Sequence, residues 1–309
     1  LLVAAVSALS FEEWTAKYNK KFTVGEKLRR RAIFQSNSRF VKQFNAKKNS
    51  FTVSLDGPFA ATSQKEYEKL LGHFEVSTET EMPATKAAPA SIDWREKGKV
   101  TSVKDQASCG SCYSFSSLGA LEGRLLIAGS SKYNKDNLDL AEQQIVDCSQ
   151  EVGNNGCDGG VLLYTFQYVA SKGIMKESDY PYKAAVGTCA YDKAKTIATC
   201  TGGKQVTAYS EPALMEAVAE GPVAVAIDAS GMKFQLYNGG IYDNPSCKKY
   251  VLNHGVLCVG YGSNANGDFW IVRNSWGTSW GDQGYVYMSR NKDNQCGIAS
   301  GAVYPTGAK

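Results

Sequence analysis

The segment Gln106-Ala-Ser-Cys109-Gly-Ser-Cys112-Tyr113 stands directly before the strongest predicted helix of the chain, which extends from Ser111 to Gly129. Cys112 therefore lies at or near the first helical turn, where the helix dipole favours a thiolate. Most cysteines are inert buried side chains, but one glycine and two serines surround this one with polar groups and permissive backbone. The segment indicates a nucleophilic thiol.

A nucleophilic cysteine needs a base, and the chain contains two histidines, His73 and His254. His73 precedes a polar, proline-containing segment at residues 75–91, which leaves His254 as the candidate base in the part of the chain that carries the cysteines. A lone histidine is more often structural. Here Asn274, after a predicted strand, is placed to orient the imidazole, and Trp276 is placed to shield that hydrogen bond from water.

The order of the predicted elements indicates an α+β protein with more than one folding unit. With 309 residues, of which 43% are apolar, the chain can bury a full core. The segment at residues 75–91 is typical of an exposed linker that a protease can enter. After it, helices come first and strands follow, which favours two lobes over a doubly wound sheet. The predicted helices are 111–129, 139–147 and 161–171, with a short one capped by Ser210, and the predicted strands are 223–227, 255–261, 269–273 and 285–288.

Cysteine usage and charge exclude several classes of protein. All nine cysteines lie between Cys109 and Cys296, and their spacing lacks the paired form of a zinc ribbon, so disulfides are expected rather than a metal site. Residues 1–87 carry 14 Lys and Arg against 9 Asp and Glu, but these charges are spread among apolar residues, so no nucleic-acid or membrane arm is expected. Residues 1–8 look like the end of a signal peptide, and no later apolar run is long enough to span a bilayer.

A periodic series in the N-terminal part predicts an amphipathic helix. Its members follow one another in steps of four, four, three, four and four residues, which places them on one helical face. They are Glu26, Arg30, Phe34, Asn37, Val41 and Asn45. Glu26 and Arg30 can pair, and the interleaved Leu28, Ile33, Phe40 and Phe44 are expected to supply apolar packing.

Three segments together resemble the signatures of the papain-like cysteine peptidases: Gln106 to Tyr113, Leu252-Asn-His254-Gly, and Trp270-Ile-Val-Arg-Asn274-Ser-Trp276-Gly. The series from Glu26 to Asn45 is similar to the propeptide motif of the cathepsin L-like subfamily, with Val41 in the isoleucine place. The resemblance implies a papain-like two-lobe α+β fold, with a helical lobe and a β-barrel-like lobe, behind a mainly helical inhibitory propeptide. The implied layout is a signal peptide remnant at 1–8, the propeptide at 9–87 and the mature peptidase at 88–309. Within the mature peptidase, the helical lobe is expected at about 98–200 and the β lobe at about 201–300, and each chain end crosses over to the other lobe.

The resemblance also implies the roles of the site residues. Cys112 and His254 would form a thiolate-imidazolium pair that cleaves peptide bonds through an acyl-enzyme, with Asn274 holding the imidazole. The side-chain amide of Gln106 and the backbone amide of Cys112 would stabilise the oxyanion. The remaining substrate-binding positions are Gly159, Gly160 and Trp276, together with the pocket walls Val161, Leu162, Ala226, Leu252, Gly255 and Gly301. Because no wall is charged, an apolar side chain is expected at the second residue before the cleaved bond.

Six cysteines allow 15 pairings, and the residues alone do not choose among them. The resemblance implies that Cys109 pairs with Cys157, Cys148 with Cys189, and Cys247 with Cys296. Cys258 lies in an apolar strand and is expected to be an inert thiol. Nothing in the sequence accounts for Cys200.

The chain departs from the family pattern in a few places. Tyr113 and Ala107 stand where tryptophan and glycine are usual, and both changes are expected to be tolerated. A second propeptide motif, Gly-x-Asn-x-Phe-x-Asp, keeps only its phenylalanine. Its positions hold Leu55, Gly57, Phe59 and Ala61, so the pH-sensing role of the motif's aspartate is not carried over.

Two other functions compete with this interpretation. A protease-like binding protein without activity is disfavoured because the four catalytic candidates are intact, and acyl transfer to amines is disfavoured by the Asn274-Ser-Trp segment and the propeptide. Exopeptidase relatives carry extra histidines or a propeptide disulfide, so an open-cleft endopeptidase is expected. The expected partners are peptide and protein substrates, the chain's own propeptide and cystatin-like inhibitors. A secreted or lysosomal monomer without cofactor is expected.

Overall fold

A computed structural model describes residues 9–74, 88–129 and 131–309 of the chain. These residues form an N-terminal region (residues 9–74) that packs against a C-terminal region (residues 88–309). The predicted signal peptide remnant and most of the predicted linker lie outside the described residues. Within the described ranges, no helix combines the length and apolar character that crossing a membrane requires.

The N-terminal region contains three helices and one short strand. They are α1 (Phe11–Lys17), α2 (Val24–Asn45), β1 (Phe51–Val53) and α3 (Gln64–Glu68). Helices α1 and α3 begin with capping boxes, in which the hydroxyls of Ser10 and Ser63 accept from the backbone amide three residues later. Helix α2 contains the whole predicted periodic series.

The apolar side of α2 builds a small aromatic core. Phe34 lies 5.6 Å from Phe11 and 5.9 Å from Trp14, measured between ring centroids. Phe40 and Phe44, further along α2, pack against an apolar cluster that residues of both regions form. The packing role predicted for Leu28 is wrong: this side chain is 67% exposed, because it projects from the side of α2 that faces solvent.

The polar members of the series hold the chain that returns along α2. Three of the four, all except Glu26, donate from their side chains to backbone carbonyls of the chain after α2. The bonds run from Arg30 to Ala61 (3.1 Å), from Asn37 to Ala60 (2.9 Å) and from Asn45 to Val53 (2.7 Å). Arg30 also pairs with Glu66 at 2.7 Å, and this ties α2 to α3.

After the short strand β2, the C-terminal region has most of its helices in its first half and most of its strands in its second half, as predicted. Its first half contains β2 (Ile92–Asp93), α4 (Cys112–Ala128), α5 (Glu142–Cys148), α6 (Leu162–Lys172), β3 (Ile174–Met175) and β4 (Thr196–Ala198). Its second half contains β5 (Gly202–Gln205), α7 (Glu211–Ala219), β6 (Val223–Ile227), α8 (Met232–Gln235), β7 (Tyr237–Tyr242), β8 (His254–Asn264), β9 (Gly267–Arg273), β10 (Tyr285–Ser289) and β11 (Gly301–Thr306). The predicted cap of α7 is present, since Ser210 accepts from the amide of Ala213.

Nine strands form one sheet in the order β1-β7-β10-β9-β8-β6-β11-β5, with β2 beside β8. Strands β7 and β10 are parallel, and the other neighbours are antiparallel. The first and last strands do not pair, so the lobe predicted to be barrel-like is an open sheet in the described chain. Helix α4 packs on β8 and β6, which brings its first turn to the start of β8.

Contacts of three kinds join the N-terminal region to the C-terminal region. Strand β1 pairs with β7, and the register places Phe51 opposite Gly240. The buried hydroxyl of Tyr67 donates to the carbonyl of Ala229 at 2.7 Å. The side chain of Gln235 donates to the carbonyl of Thr62 at 2.9 Å. The N-terminal region is therefore integrated with the sheet.

Candidate active site

Cys112 is the first residue of α4, in the place that the sequence predicts. Its side chain is fully buried, and burial raises the pKa of the Cys112 thiol to about 11, although backbone hydrogen bonds from Gly255 and Gly72 favour the thiolate. The position of Cys112 at the first helical turn predicted a thiolate, which the helix dipole favours. Here desolvation outweighs the dipole, because residues of the N-terminal region cover the sulfur.

His254 begins β8, and its neighbour Gly255 lies against Cys112. Its Nε2 is 2.7 Å from Oδ1 of Asn274, and Trp276 stacks on the ring with centroids 4.5 Å apart. This is the arrangement proposed for Asn274 and Trp276. Burial lowers the pKa of His254 to about 4, although the hydrogen bond that His254 donates to Asn274 favours the imidazolium. Nδ1 has no hydrogen-bond partner in the described structure.

Gln106 is buried in the loop before α4, and its amide is held from both ends. Its Nε2 donates to the carbonyl of Cys109 at 2.9 Å and to that of Leu70 at 3.2 Å. Its Oε1 accepts from the hydroxyl of Ser275 at 2.7 Å, which fixes which end of the amide faces the cleft.

Sequence reasoning missed the contribution of Ser275. The backbone amide of Ser275 donates to Oδ1 of Asn274 at 2.8 Å, and its hydroxyl reaches Gln106. One residue therefore connects the group that orients the imidazole with the predicted oxyanion donor. The available signal was its position directly after Asn274, but serine is too common in loops for that position alone to indicate a role.

A stretch of the N-terminal region passes directly over these groups. The amide of Gly72 donates to the carbonyl of Asn253 at 2.7 Å, and that of Phe74 donates to the carbonyl of Leu252 at 3.0 Å. Phe59 and Tyr67 present their ring edges to Trp276, at 5.1 and 5.6 Å between centroids. This stretch explains why Cys112 and His254 are completely covered.

The predicted pocket receives the side chain of Phe74. Phe74 belongs to the same apolar cluster as Leu162, Ala226 and Leu252. A Cβ on Gly255 would lie 3.1 Å from the end of the Phe74 ring. Gly301, Ala226 and Gly255 stand opposite one another on β11, β6 and β8, so the three positions form a continuous wall. Val161 is outside this cluster; it is the N-cap residue of α6.

The two predicted glycines have different neighbours. A Cβ on Gly159 would lie 3.7 Å from both Cα of Gly72 and the amide nitrogen of His73, so Gly159 faces the chain that occupies the cleft. A Cβ on Gly160 would lie 2.6 Å from Asn154 and 2.7 Å from the ring of Tyr113. Gly160 is therefore required by packing within the C-terminal region.

The disulfides of the structure are the pairs that the resemblance implied: Cys109 with Cys157, Cys148 with Cys189, and Cys247 with Cys296. Cys258 is buried, as expected. Cys200, whose role could not be predicted, is also a buried thiol and donates to the carbonyl of Phe166 at 3.5 Å. Among the described residues, no group of three or more His, Cys, Asp and Glu side chains could hold a metal ion.

Comparison with known proteins agrees with this geometry. Residues 88–306 match the model of the papain family cysteine protease, and residues 11–67 match that of the cathepsin propeptide inhibitor domain. Cysteine proteinase 2 of Entamoeba histolytica is 48% identical over 100% of this chain and 98% of its own length. Cathepsin L1 of Drosophila melanogaster is 42% identical over 94% of this chain and 75% of its own length.

Solved structures show the same likeness. Digestive procathepsin L 3 of the Tenebrio molitor larval midgut superposes with a TM-score of 0.88 at 38% identity, covering 96% of this chain and 97% of that chain. These matches support the precursor of an active cysteine peptidase rather than a silent binding protein. The chain belongs to the papain family of cysteine proteases and carries a cathepsin-type propeptide inhibitor domain.

Proposed function

We propose that the chain is the precursor of an open-cleft endopeptidase in which Cys112 is the nucleophile and His254 its base. One observation carries this proposal: the side-chain amide of Gln106, the predicted oxyanion donor, donates to a peptide carbonyl of the N-terminal region, that of Leu70. A carbonyl at this place is polarised by the same donor that would bind an oxyanion. The N-terminal region therefore occupies the cleft as a peptide would, and acts as an intramolecular inhibitor.

The catalytic steps follow from the groups around the thiol. The Cys112 thiolate attacks the substrate carbonyl, and the negative charge that forms on its oxygen is bound by Gln106 and the backbone amide of Cys112. His254 protonates the departing amine and then deprotonates the water that releases the acyl group. Asn274 accepts from Nε2, which holds Nδ1 free for the proton transfers.

Removal of the N-terminal region would activate Cys112 and His254. In the covered site, burial raises the pKa of Cys112 and lowers that of His254, and both shifts favour the neutral thiol and imidazole. Opening the cleft returns water to both groups and allows each charge to stabilise the other. We expect thiol reactivity to rise when the chain matures, with cleavage near Ala88 separating residues 9–87 from the peptidase at residues 88–309.

Replacement of Cys112 by Ser tests the assignment of the nucleophile. Because Cys112→Ser cannot process itself, parent enzyme would first remove its N-terminal region. The processed variant should bind substrate and lose turnover, since the covalent step requires the thiolate. Cys200→Ser, which alters another buried free thiol, is the control and should keep its activity. Hydrolysis by Cys112→Ser within about tenfold of the parent would contradict the assignment.

We further propose that the pocket selects an apolar side chain at the second residue before the cleaved bond. Phe74 in this pocket supports the choice, because a cationic side chain there would lose hydration without gaining a partner. Peptides that differ only in Leu or Arg at this position should be cleaved with higher kcat/KM when Leu is present. Gly301→Asp should narrow or reverse the difference. A parent that prefers Arg, or a variant with unchanged preference, would show that the pocket is wrongly assigned.

The wider setting follows from the same family. We propose that the mature enzyme is a secreted or lysosomal monomer that cystatin-like inhibitors block. The names of two relatives support the proposed location, since they are a digestive cysteine proteinase from Homarus americanus and cathepsin L from Sarcophaga peregrina. Peptides blocked at both ends should be cut internally if the cleft is open. Size-exclusion chromatography and titration with a cystatin would test the other two statements.

A further inference from the structure

A cavity of about 470 Å³ lies where the N-terminal region meets the C-terminal region. Trp14, Phe22 and Phe59 line it from the N-terminal region, and Trp276 lines it from the C-terminal region. Small-molecule sites in proteins measure about 300–1,000 Å³ and are lined mainly by apolar and aromatic side chains. The cavity therefore has the size and the walls of a site for a small aromatic molecule, and both regions are needed to form it.

Trp276 brings to this cavity a hydrogen-bond donor that the rest of the described chain leaves unpaired. Its side chain is 2% exposed, yet its Nε1 has no hydrogen-bond partner among the described residues. A buried donor without an acceptor is costly, so this one favours a ligand that supplies an acceptor. Each of the other four tryptophans donates its indole N–H to an oxygen: Trp14 to Gly57, Trp94 to Val218, Trp270 to Glu211 and Trp280 to Gln235.

The charged groups on the cavity wall decide where a charged ligand can lie. Arg30 pairs with Glu66 at 2.7 Å, so these two charges balance. Lys20 is exposed, and its ammonium group has no partner in the part of the chain that the structure describes. On the wall from the C-terminal region, Asp105 accepts from the amide of Ala107 at 2.8 Å, and its charge repels anions. A negative group is therefore favoured on the side of Lys20.

We propose that this cavity binds a small aromatic carboxylate in the precursor. The ring packs against Trp14, Phe22 and Phe59, a carboxylate oxygen accepts from Nε1 of Trp276, and Lys20 attracts the charge. Because each region supplies part of the wall, the ligand binds the closed precursor rather than the separated peptidase, and so it slows maturation. The effect on maturation rests on the proposed function, whereas the binding does not.

The binding test uses the Cys112→Ser precursor, which does not process itself, and naphthylacetate as the probe. Calorimetric titration should show saturable binding at one site. The processed Cys112→Ser peptidase, which lacks the wall from the N-terminal region, should bind about tenfold more weakly or not at all. Lys20→Gln should weaken binding by about threefold, because an exposed charge pair contributes little. Lys21→Gln, the same loss of charge at the next residue, is the control and should bind as the parent.

A neutral probe separates the contribution of charge from that of shape. Naphthylacetamide keeps the ring and the carbonyl acceptor but has no charge. It should bind the precursor and its Lys20→Gln variant equally, about threefold more weakly than naphthylacetate binds the precursor. If Lys20→Gln weakens the binding of both probes alike, the lysine acts on the shape of the cavity and its attraction of the carboxylate is disproved.

The indole N–H resonances of the precursor locate the bound probe. Trp276→Phe removes one of the five signals and so identifies it. Naphthylacetate should shift this signal most, because Nε1 of Trp276 gains an acceptor. The signals of Trp94 and Trp270, which already have acceptors and do not line the cavity, should stay in place.

The effect on maturation is measured with the parent precursor and added mature enzyme. Naphthylacetate at about ten times its Kd should slow maturation by about tenfold, while cleavage of a small peptide by the mature enzyme should not change. Unchanged maturation in the presence of bound probe would disprove the regulatory effect.

Three results would overturn the site itself: no saturable binding, equal binding to the processed peptidase, or no shift of the Trp276 signal. All three are measured in Cys112→Ser, so they do not depend on the nucleophile. Failure of the proposed function would instead appear as a mature parent enzyme that forms no covalent adduct with a thiol-reactive peptide epoxide.

Discussion

The N-terminal and C-terminal regions are held together by different kinds of interaction. The N-terminal region has a small aromatic core and several ion pairs: Lys17 with Asp56, Arg29 and Arg30 with Glu66, and Arg31 with Glu12. The C-terminal region has extensive apolar clusters and all three disulfides. Acid neutralises carboxylates but leaves apolar packing and disulfides intact. The C-terminal region also has ion pairs, such as those of Lys104 with Glu122 and Glu142, but its disulfides and larger apolar clusters persist in acid, so we expect acid to loosen the N-terminal region first.

Trp14→Ala should cause the largest change in the stability of the N-terminal region relative to the C-terminal region. Trp14 is buried against Phe11 and Phe34, and its indole donates to the carbonyl of Gly57 at 2.8 Å. Loss of the ring should destabilise the N-terminal region by about 3–5 kcal/mol and release inhibition at neutral pH.

Calorimetry of this variant in a Cys112→Ser background should show an earlier transition for the N-terminal region alone. Leu28→Ala, at an exposed position of α2, is the control and should change little. If both regions unfold together at a lower temperature, the two are one cooperative unit and the comparison is wrong.

Removal of one disulfide should destabilise the C-terminal region and leave the N-terminal region unchanged. Cys148→Ala with Cys189→Ala opens a loop of 41 residues in the C-terminal region, and we expect a loss of about 2–5 kcal/mol there. The pH at which the precursor matures should stay the same, because no ion pair of the N-terminal region is touched. Thermal melts before and after maturation, with maturation followed by mass, would detect a shift in either quantity.

Glu66→Gln should change how the maturation of the precursor depends on pH. Burial raises the pKa of Glu66, but hydrogen bonds from Ser63 and Arg30 outweigh it and lower the pKa to about 2. A lowered pKa means that the carboxylate stabilises the N-terminal region above about pH 4.5 and loses this effect as pH falls towards 2. The variant lacks the effect at every pH, so it should mature faster near neutrality and depend less on acid.

The mass of the precursor, followed from about pH 3 to about pH 7, would measure this change. This range includes the ordinary pKa values of carboxyl groups. Glu68→Gln, an exposed residue of the same helix, is the control and should behave as the parent. Equal maturation profiles for Glu66→Gln and the parent would remove Glu66 from the acid response.

Ser275→Ala should have the smallest effect, confined to the mature enzyme. Loss of its hydrogen bond lets the amide of Gln106 rotate, and a neutral bond of this kind corresponds to about a three- to tenfold loss in kcat/KM. Stability of the precursor should barely change. A variant with parental kcat/KM would mean that other contacts suffice to orient Gln106.

Local patterns predicted most elements, because they depend on neighbouring residues. The sequence predicted helix α2 from its period, the N-cap of α7 at Ser210 and strand β6 from its alternation. Strand β1 was not, since its three residues gain their partner 187 residues later, where Thr52 pairs with Gly239. A segment this short has too little pattern of its own to indicate a strand.

At the candidate site, the sequence predicted residues that the fold brings together, but it did not predict their protonation. Counting along the chain found Ala226, Gly255 and Gly301, which adjacent strands bring together. The pKa shifts of Cys112 and His254 depend on coverage by residues far away in sequence, so helix position alone gave the opposite direction for the thiol. The occupancy of the pocket by Phe74 could not be predicted either, because it also depends on contacts between residues far apart in sequence.

The pairing of β1 with β7 has a consequence for the enzyme after maturation. Once the N-terminal region leaves, the backbone groups of Tyr237–Tyr242 that faced β1 have no partner, and such an edge attracts strands from other molecules. Gly240, whose φ is 90°, interrupts the regular extended backbone and limits how long a foreign strand can pair there. We therefore expect activation to reduce solubility as it releases activity, and light scattering of precursor and mature enzyme at equal concentration should show more association in the mature form. Equal scattering would mean that the glycine-containing edge protects itself.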